Sequence, residues 1–181
     1  MLGYDLDELG ISVCSVAGTN FLPFVKLFGK ESLSIPFAVI TDEDPVAGKP
    51  PLAHNRVLKL VSAIDPKYKY SADTSTLFDE ATSDGVFVTG HTLEVATFKC
   101  GRNVSITKTI EELSRNKKAR QRAASWRDKP ASLDAVRLLA DIETIGKGRF
   151  AQRLAARIAK GISKRCPDSV KEAIAYVAER V

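Results

Sequence analysis

The chain has 181 residues, 44% of them hydrophobic and 27% charged, enough for one ordinary domain, or one with a helical appendage, that buries its core without staples. No apolar run approaches the ~20 residues of a membrane span, and the N-terminus, with Asp5, Asp7 and Glu8 close behind Met1, lacks the basic region and cleavage site of a secretory signal, so a cytoplasmic location is expected. The net charge of +5 conceals a division: residues 1–101 carry 8 Lys and Arg against 13 Asp and Glu, whereas residues 102–165 carry 17 against 6, so an acidic half suited to divalent cations precedes a basic half suited to a polyanion such as nucleic acid.

In chain order, Ile11 to Gly18 alternates apolar and small residues and stops at a glycine, which predicts a strand entering a tight turn. Cys14 is then expected to be buried in that strand. Cys14, Cys100 and Cys166 are odd in number and far apart, which suits neither a disulfide framework nor a CxxC-type zinc pair, and they are read as reduced thiols. Thr19 or Asn20 caps a predicted helix through Phe21, Phe24, Val25, Leu27 and Phe28 that ends at Gly29. Pro36 precedes Phe37-Ala38-Val39-Ile40, which reads as a fully buried strand, so that strand, helix and strand form a βαβ unit with parallel strands. From Pro45 to about Gly85 the pattern is irregular, an expected insertion holding two short helices near 54–63 and 74–82. Val86 to Thr89 is a third strand candidate. Beyond it the chain reads as helical over about 105–125, 131–145, 148–163 and 168–179, with Asp168 as an N-cap after Pro167. The expected organisation is an α/β core over 1–101, with its insertion at about 45–85, and a basic helical region over 102–181 that packs on it.

Thr41-Asp42-Glu43-Asp44-Pro45 follows the predicted buried strand, which places its carboxylates at the carboxyl end of a strand, where open α/β sheets bind ligands. Alternation along an extended chain points Asp42 and Asp44 the same way, close enough to repel unless a cation bridges them, and oxygen-only ligands favour Mg²⁺ or Mn²⁺. A solvated acidic turn is the plainer alternative. Glu94, just beyond the third strand, is either a further ligand or a first-turn carboxylate facing a helix dipole. His91 is a weaker candidate as ligand or proton shuttle. Lys147, between Gly146 and Gly148 and followed by Arg149, sits where a helix begins, which leaves the backbone open to a phosphate or simply marks a helix boundary. The run Arg115, Lys117, Lys118, Arg120, Arg122 and Arg127 covers most of a helix, a density that serves phosphate contacts or an exposed helix equally. Trp126, the one tryptophan, is read as a packing anchor.

Leu6 to Phe21, Phe37 to Pro45 (FAVITDEDP), Thr92-Leu93-Glu94 and Lys147 to Gln152 (KGRFAQ), taken in this order and spacing, resemble the Toprim region of the OLD (overcoming lysogenization defect) family. The resemblance implies a Toprim-like, Rossmann-like parallel sheet flanked by helices with a helical C-terminal part, and Mg²⁺- or Mn²⁺-dependent cleavage of DNA. It also implies an ABC-type ATPase domain or subunit as partner; a homo-oligomer is left open. By motif match Asp42, Asp44 and Glu94 would be metal ligands and Lys147 a phosphate or transition-state contact, so that Lys147 and Glu94 would carry catalysis; the basic residues Lys117, Lys118, Arg120, Arg122, Lys147 and Arg149 are the expected DNA contacts. The family's opening E-G-x-x-E type glutamate motif would fall upstream of Leu6. The expected activity is therefore that of part of a nuclease, incomplete or inactive as this chain alone, with a non-catalytic DNA-binding or assembly module bearing a vestigial Toprim site as the alternative. A haloacid dehalogenase type phosphatase also uses D-x-D after a strand, but it wants glycine or threonine soon after the second aspartate, where Pro45-Val46 stands here.

Overall fold

The computed structural model describes residues 3–16, 18–29, 32–161 and 165–181. The chain divides into two compact units, one formed by residues 1–92 and 167–181 and the other by 93–166. No described helix is long and apolar enough to cross a membrane.

The first unit is built around a parallel pair of strands, β1 (Val39–Asp42) and β2 (Val86–Thr89), in the register Val39 to Val86 through Asp42 to Thr89. A parallel pair needs a crossover connection. The segment between them provides it, carrying α2 (Leu52–Ile64) and α3 (Thr74–Thr82). Ala53, Val57, Leu60 and Val61 recur at helical spacing along α2 and are buried, and with Val39, Leu77, Ala81, Val86 and Val25 of α1 (Leu22–Phe28) they form the core. Asp73 caps α3 by accepting from the Thr76 amide at 2.9 Å.

Three expectations for this unit are corrected. Residues 11–16 form no strand, and both Val13, at 83% exposure, and Cys14 lie in solvent. An alternating segment becomes a strand only with a ladder partner, and among the described residues β1 pairs with β2 alone. The parallel pair is therefore β1 with β2, not 11–18 with 37–40. Second, α1 starts from Phe21 with no side-chain cap; Thr19 instead offers its carbonyl to the Phe21 amide at 3.1 Å. Third, β1 begins two residues later than expected and alternates, with Val39 and Thr41 buried but Ile40 37% exposed.

The described residues of the second unit form helices and turns: α4 (Leu93–Thr97), a turn over Phe98–Arg102 kinked at Gly101, whose φ is 93°, α5 (Asn103–Leu113), α6 (Lys117–Asp128), a 3₁₀ turn over Pro130–Ser132, α7 (Ala135–Ile145) and α8 (Lys147–Ala159). The helix expected over 105–125 is two helices. Asn116 ends the run, because its side-chain oxygen accepts from the Lys118 and Ala119 amides and starts α6 afresh. Trp126 is 4% exposed and packs with Ile106, Ile110, Leu138, Ile142 and Phe150, the anchoring role expected of it. The last helix, α9 (Asp168–Ala178), belongs to the first unit. There Tyr176 meets Phe87 edge-on at 5.7 Å and Ser169 shares a 2.8 Å hydrogen bond with Thr89. Its N-cap is Pro167, and Asp168 is the first helical residue, where its charge favours the helix dipole.

Candidate functional site

The acidic loop leaves β1 at Asp42 and enters the crossover. Its backbone is fixed on two sides: the Glu43 amide donates to the Thr89 carbonyl at 3.0 Å and the Asp44 amide to the His91 carbonyl at 3.1 Å, which ties it to the end of β2. On the other side the Leu52 and Ala53 amides, among the first of α2, donate to the carbonyls of Asp44 and Glu43, both at 3.1 Å. Those amides have no partner inside their own helix. The loop thus caps α2 through its backbone carbonyls rather than through its carboxylates.

The three carboxylates divide. Glu43 turns to β2, where its Oε2 accepts from the His91 amide at 2.9 Å. Asp44 faces α2, where its Oδ2 accepts from Arg56 Nη2 at 3.1 Å in an ion pair of side chains 33% and 14% exposed. The other Arg56 nitrogen, Nη1, donates to Thr41 Oγ1 at 2.6 Å and to the Asp42 carbonyl at 3.0 Å. One guanidinium therefore bridges three residues within four positions of the chain, Thr41, Asp42 and Asp44, with the five-donor fork that lysine lacks.

Two non-glycine residues here hold left-handed backbone, Asp44 at φ 53° and His91 at φ 71°, and they are hydrogen-bonded to each other. Such conformations cost on the order of 1 kcal/mol or more each and gather at functional sites. His91 also keeps a buried Nδ1 with no hydrogen-bond partner among the described residues.

Asp42 and Asp44 have the oxygen chemistry that a hard divalent cation needs. Asp44, however, is already neutralised by Arg56, and among the described residues no three His, Cys, Asp or Glu side chains assemble into a group able to hold a metal. These residues fall short of a metal centre.

The remaining candidates lie in the second unit. Glu94 stands in the first turn of α4, half-buried. Lys147 is the first residue of α8, exposed, behind Gly146, whose φ of 95° makes the break between α7 and α8. Arg149, two residues further along α8, is exposed as well. On α6, Lys117, Lys118 and Arg120 are exposed, and so is Arg115 before it. Arg122 is different: its Nε and Nη2 grip both oxygens of Asp141 on α7, at 3.0 and 2.5 Å, with the Asp141 side chain only 8% exposed. That bidentate bond raises the arginine's proton affinity further, and it commits the guanidinium to holding α6 on α7. Arg127 is similarly held by Glu111 of α5 at 2.5 Å.

Sequence reasoning missed Arg56 and its bridge. The available signal was its place on the second turn of a helix that starts directly behind the acidic loop, with Ala53 and Val57 fixing which side faces inward.

A family model for the overcoming lysogenization defect protein-like TOPRIM domain matches residues 1–44. No curated protein is a significant match. Among solved structures, the chain is similar to the C-terminal region of the Burkholderia pseudomallei OLD protein, at 41% identity and a TM-score of 0.89, covering 97% of this chain and 86% of that one. It is also similar to the C-terminal region of the Xanthomonas campestris pv. campestris OLD protein, at 36% identity and a TM-score of 0.81, covering 97% and 83%. With this identity sustained over nearly its whole length, the chain belongs to the OLD family and is a mixed α/β C-terminal Toprim region of that family.

Proposed function

We propose that the chain is the Toprim portion of a DNA endonuclease that hydrolyses phosphodiesters with Mg²⁺ or Mn²⁺ and works with an ABC-type ATPase domain or subunit. The observation that carries this reading is the placement of Asp42 and Asp44 at the carboxyl end of β1, the sheet edge where open α/β folds bind their ligands, in a chain of the OLD family. Asp42 and Asp44 would hold the metal, with Glu94 the further acidic ligand that this chain offers, and a full ligand set needs donors beyond these. Lys147 would meet a phosphate, since an exposed ammonium at the first residue of α8 adds to the positive end of that helix. Lys117, Lys118, Arg120 and Arg149, all exposed, would hold the DNA backbone, and Arg122 would support them by fixing α6.

The test is plasmid nicking in Mn²⁺ by the OLD protein with its ATPase part present. Alanine at Asp42 and Asp44 is expected to abolish nicking, and retained nicking would sink the assignment. A second reading, a non-catalytic DNA-binding or assembly module, is favoured by the ion pair that already occupies Asp44. It expects no nicking from the unaltered protein and DNA binding that weakens steeply with salt while ignoring Mg²⁺.

A further inference from the structure

The acidic loop is supplied with a cation of its own. Arg56 reaches it from α2 and satisfies Thr41 Oγ1, the Asp42 carbonyl and Asp44 Oδ2 with a single guanidinium. Both ends of this contact are anchored. Arg56 is flanked on α2 by Ala53 and Val57, each fully buried, and the loop is pinned by its own backbone bonds to β2 and to the start of α2. Little side-chain freedom is left to lose when the pair forms, unlike a surface pair of two long side chains.

We infer that Arg56 is the resident counter-ion of the acidic loop, and that a divalent cation binds Asp44 only by displacing it. The inference rests on the proposed metal-dependent reading of Asp42 and Asp44, and it names the residue that sets how tightly the metal is held. Exchange follows from charge and space. Two cations on one carboxylate repel, and one of the two Asp44 oxygens, Oδ2, is already held by Arg56 at 3.1 Å. An approach remains open, because the Asp44 side chain is 33% exposed where that of Arg56 is 14%. Thr41 Oγ1 and the Asp42 carbonyl keep the arginine near after it releases the carboxylate, so displacement needs no unfolding of α2. Glu43 is turned the other way, toward the end of β2, where its Oε2 accepts from the His91 amide.

The inference is tested by calorimetric titration of the chain with Mn²⁺ for the wild type, R56Q and R56K. With its competitor removed, R56Q is expected to bind Mn²⁺ about tenfold more tightly, the equivalent of one modest ion pair. R56K keeps the charge but cannot bridge three acceptors, and it is expected to fall between. A wild type that binds and an R56Q that binds no tighter would overturn the counter-ion role and leave the metal reading standing. No binding by either at millimolar Mn²⁺ overturns the inference, and the metal reading then stands or falls by the nicking test on the OLD protein with its ATPase part present. Should R56Q fail to fold by circular dichroism, the wild type decides the matter through its arginine side-chain NMR spectrum. The Arg56 Nε–H resonance is expected to move as Mg²⁺ is added; a resonance that stays fixed while the Asp42 and Asp44 amides move rejects displacement.

Discussion

Gly85 shows how little room the first unit leaves at the head of β2. Its φ of 76° lies in the left-handed region, and a Cβ there would stand 2.8 Å from Cε1 of Tyr176 and 2.9 Å from the Phe37 carbonyl oxygen. Gly48, at φ 70°, has nothing within 4 Å of the same atom. The two glycines separate backbone strain from crowding. Gly48→Ala is expected to cost about 1–2 kcal/mol for the backbone alone, and Gly85→Ala about 2–4 kcal/mol because Tyr176 must also move. Thermal unfolding of the two variants checks this, and equal losses would mean that Tyr176 and the Phe37 carbonyl both yield freely. The same scale explains what could be read of the site. Asp42 and Asp44 were visible because strand-end position depends on local pattern. Arg56 was not, because its bond to Asp44 spans 12 residues and depends on how α2 docks beside the loop.

Elements are fixed by single polar side chains as much as by hydrophobic period. The apolar period of α5 and α6 reads as one helix, yet Asn116 splits it by offering its side chain to the next two amides in α6. Asn116→Ala is expected to cost about 1 kcal/mol, the usual worth of an N-cap, seen as a lower thermal midpoint. α3 behaved as its sequence suggested because its cap, Asp73, coincides with the start of its apolar period. The segment 11–16 has the period of a strand but no partner for its amides in the described sheet, and a pattern of period two cannot state where a partner lies. Charge joins helices too. Glu112 of α5 faces Arg153 and Arg157 of α8, and its carboxyl is held below the usual 4.5, first by the hydrogen bond from Arg153 and then by both positive charges. A depressed carboxyl contributes its stability above the unfolded value and loses it as pH falls through the folded one. The gap in thermal midpoint between wild type and Glu112→Gln is therefore expected to be full at neutral pH and to close below pH 4.5; a gap that persists in acid would mean the arginines act through packing alone.

For the whole molecule, charge follows the structural division closely. The unit of residues 93–166 carries 18 Lys and Arg against 7 Asp and Glu, a net +11, and the remainder carries 9 against 15, a net −6. The sequence already showed this asymmetry, since charge needs only counting; which cations are spent inside the fold needed the structure. Arg122, Arg127, Arg153 and Arg157 all hold carboxylates of their own unit, whereas Lys117, Lys118 and Arg120 present their side chains to solvent on α6. Counterion release separates the two classes. Each phosphate contact contributes about 0.9 to the slope of log affinity against log salt for duplex DNA, so the triple change K117Q/K118Q/R120Q is expected to flatten that slope by about 2.7 if all three meet phosphates. Arg122→Gln is expected to leave the slope unchanged and instead lower the thermal midpoint, because it strands Asp141, whose side chain is 8% exposed, without its partner. A triple variant with an unaltered slope would place the DNA contact elsewhere on the basic unit, and an Arg122→Gln that lost slope without losing stability would return that arginine to the DNA-facing set.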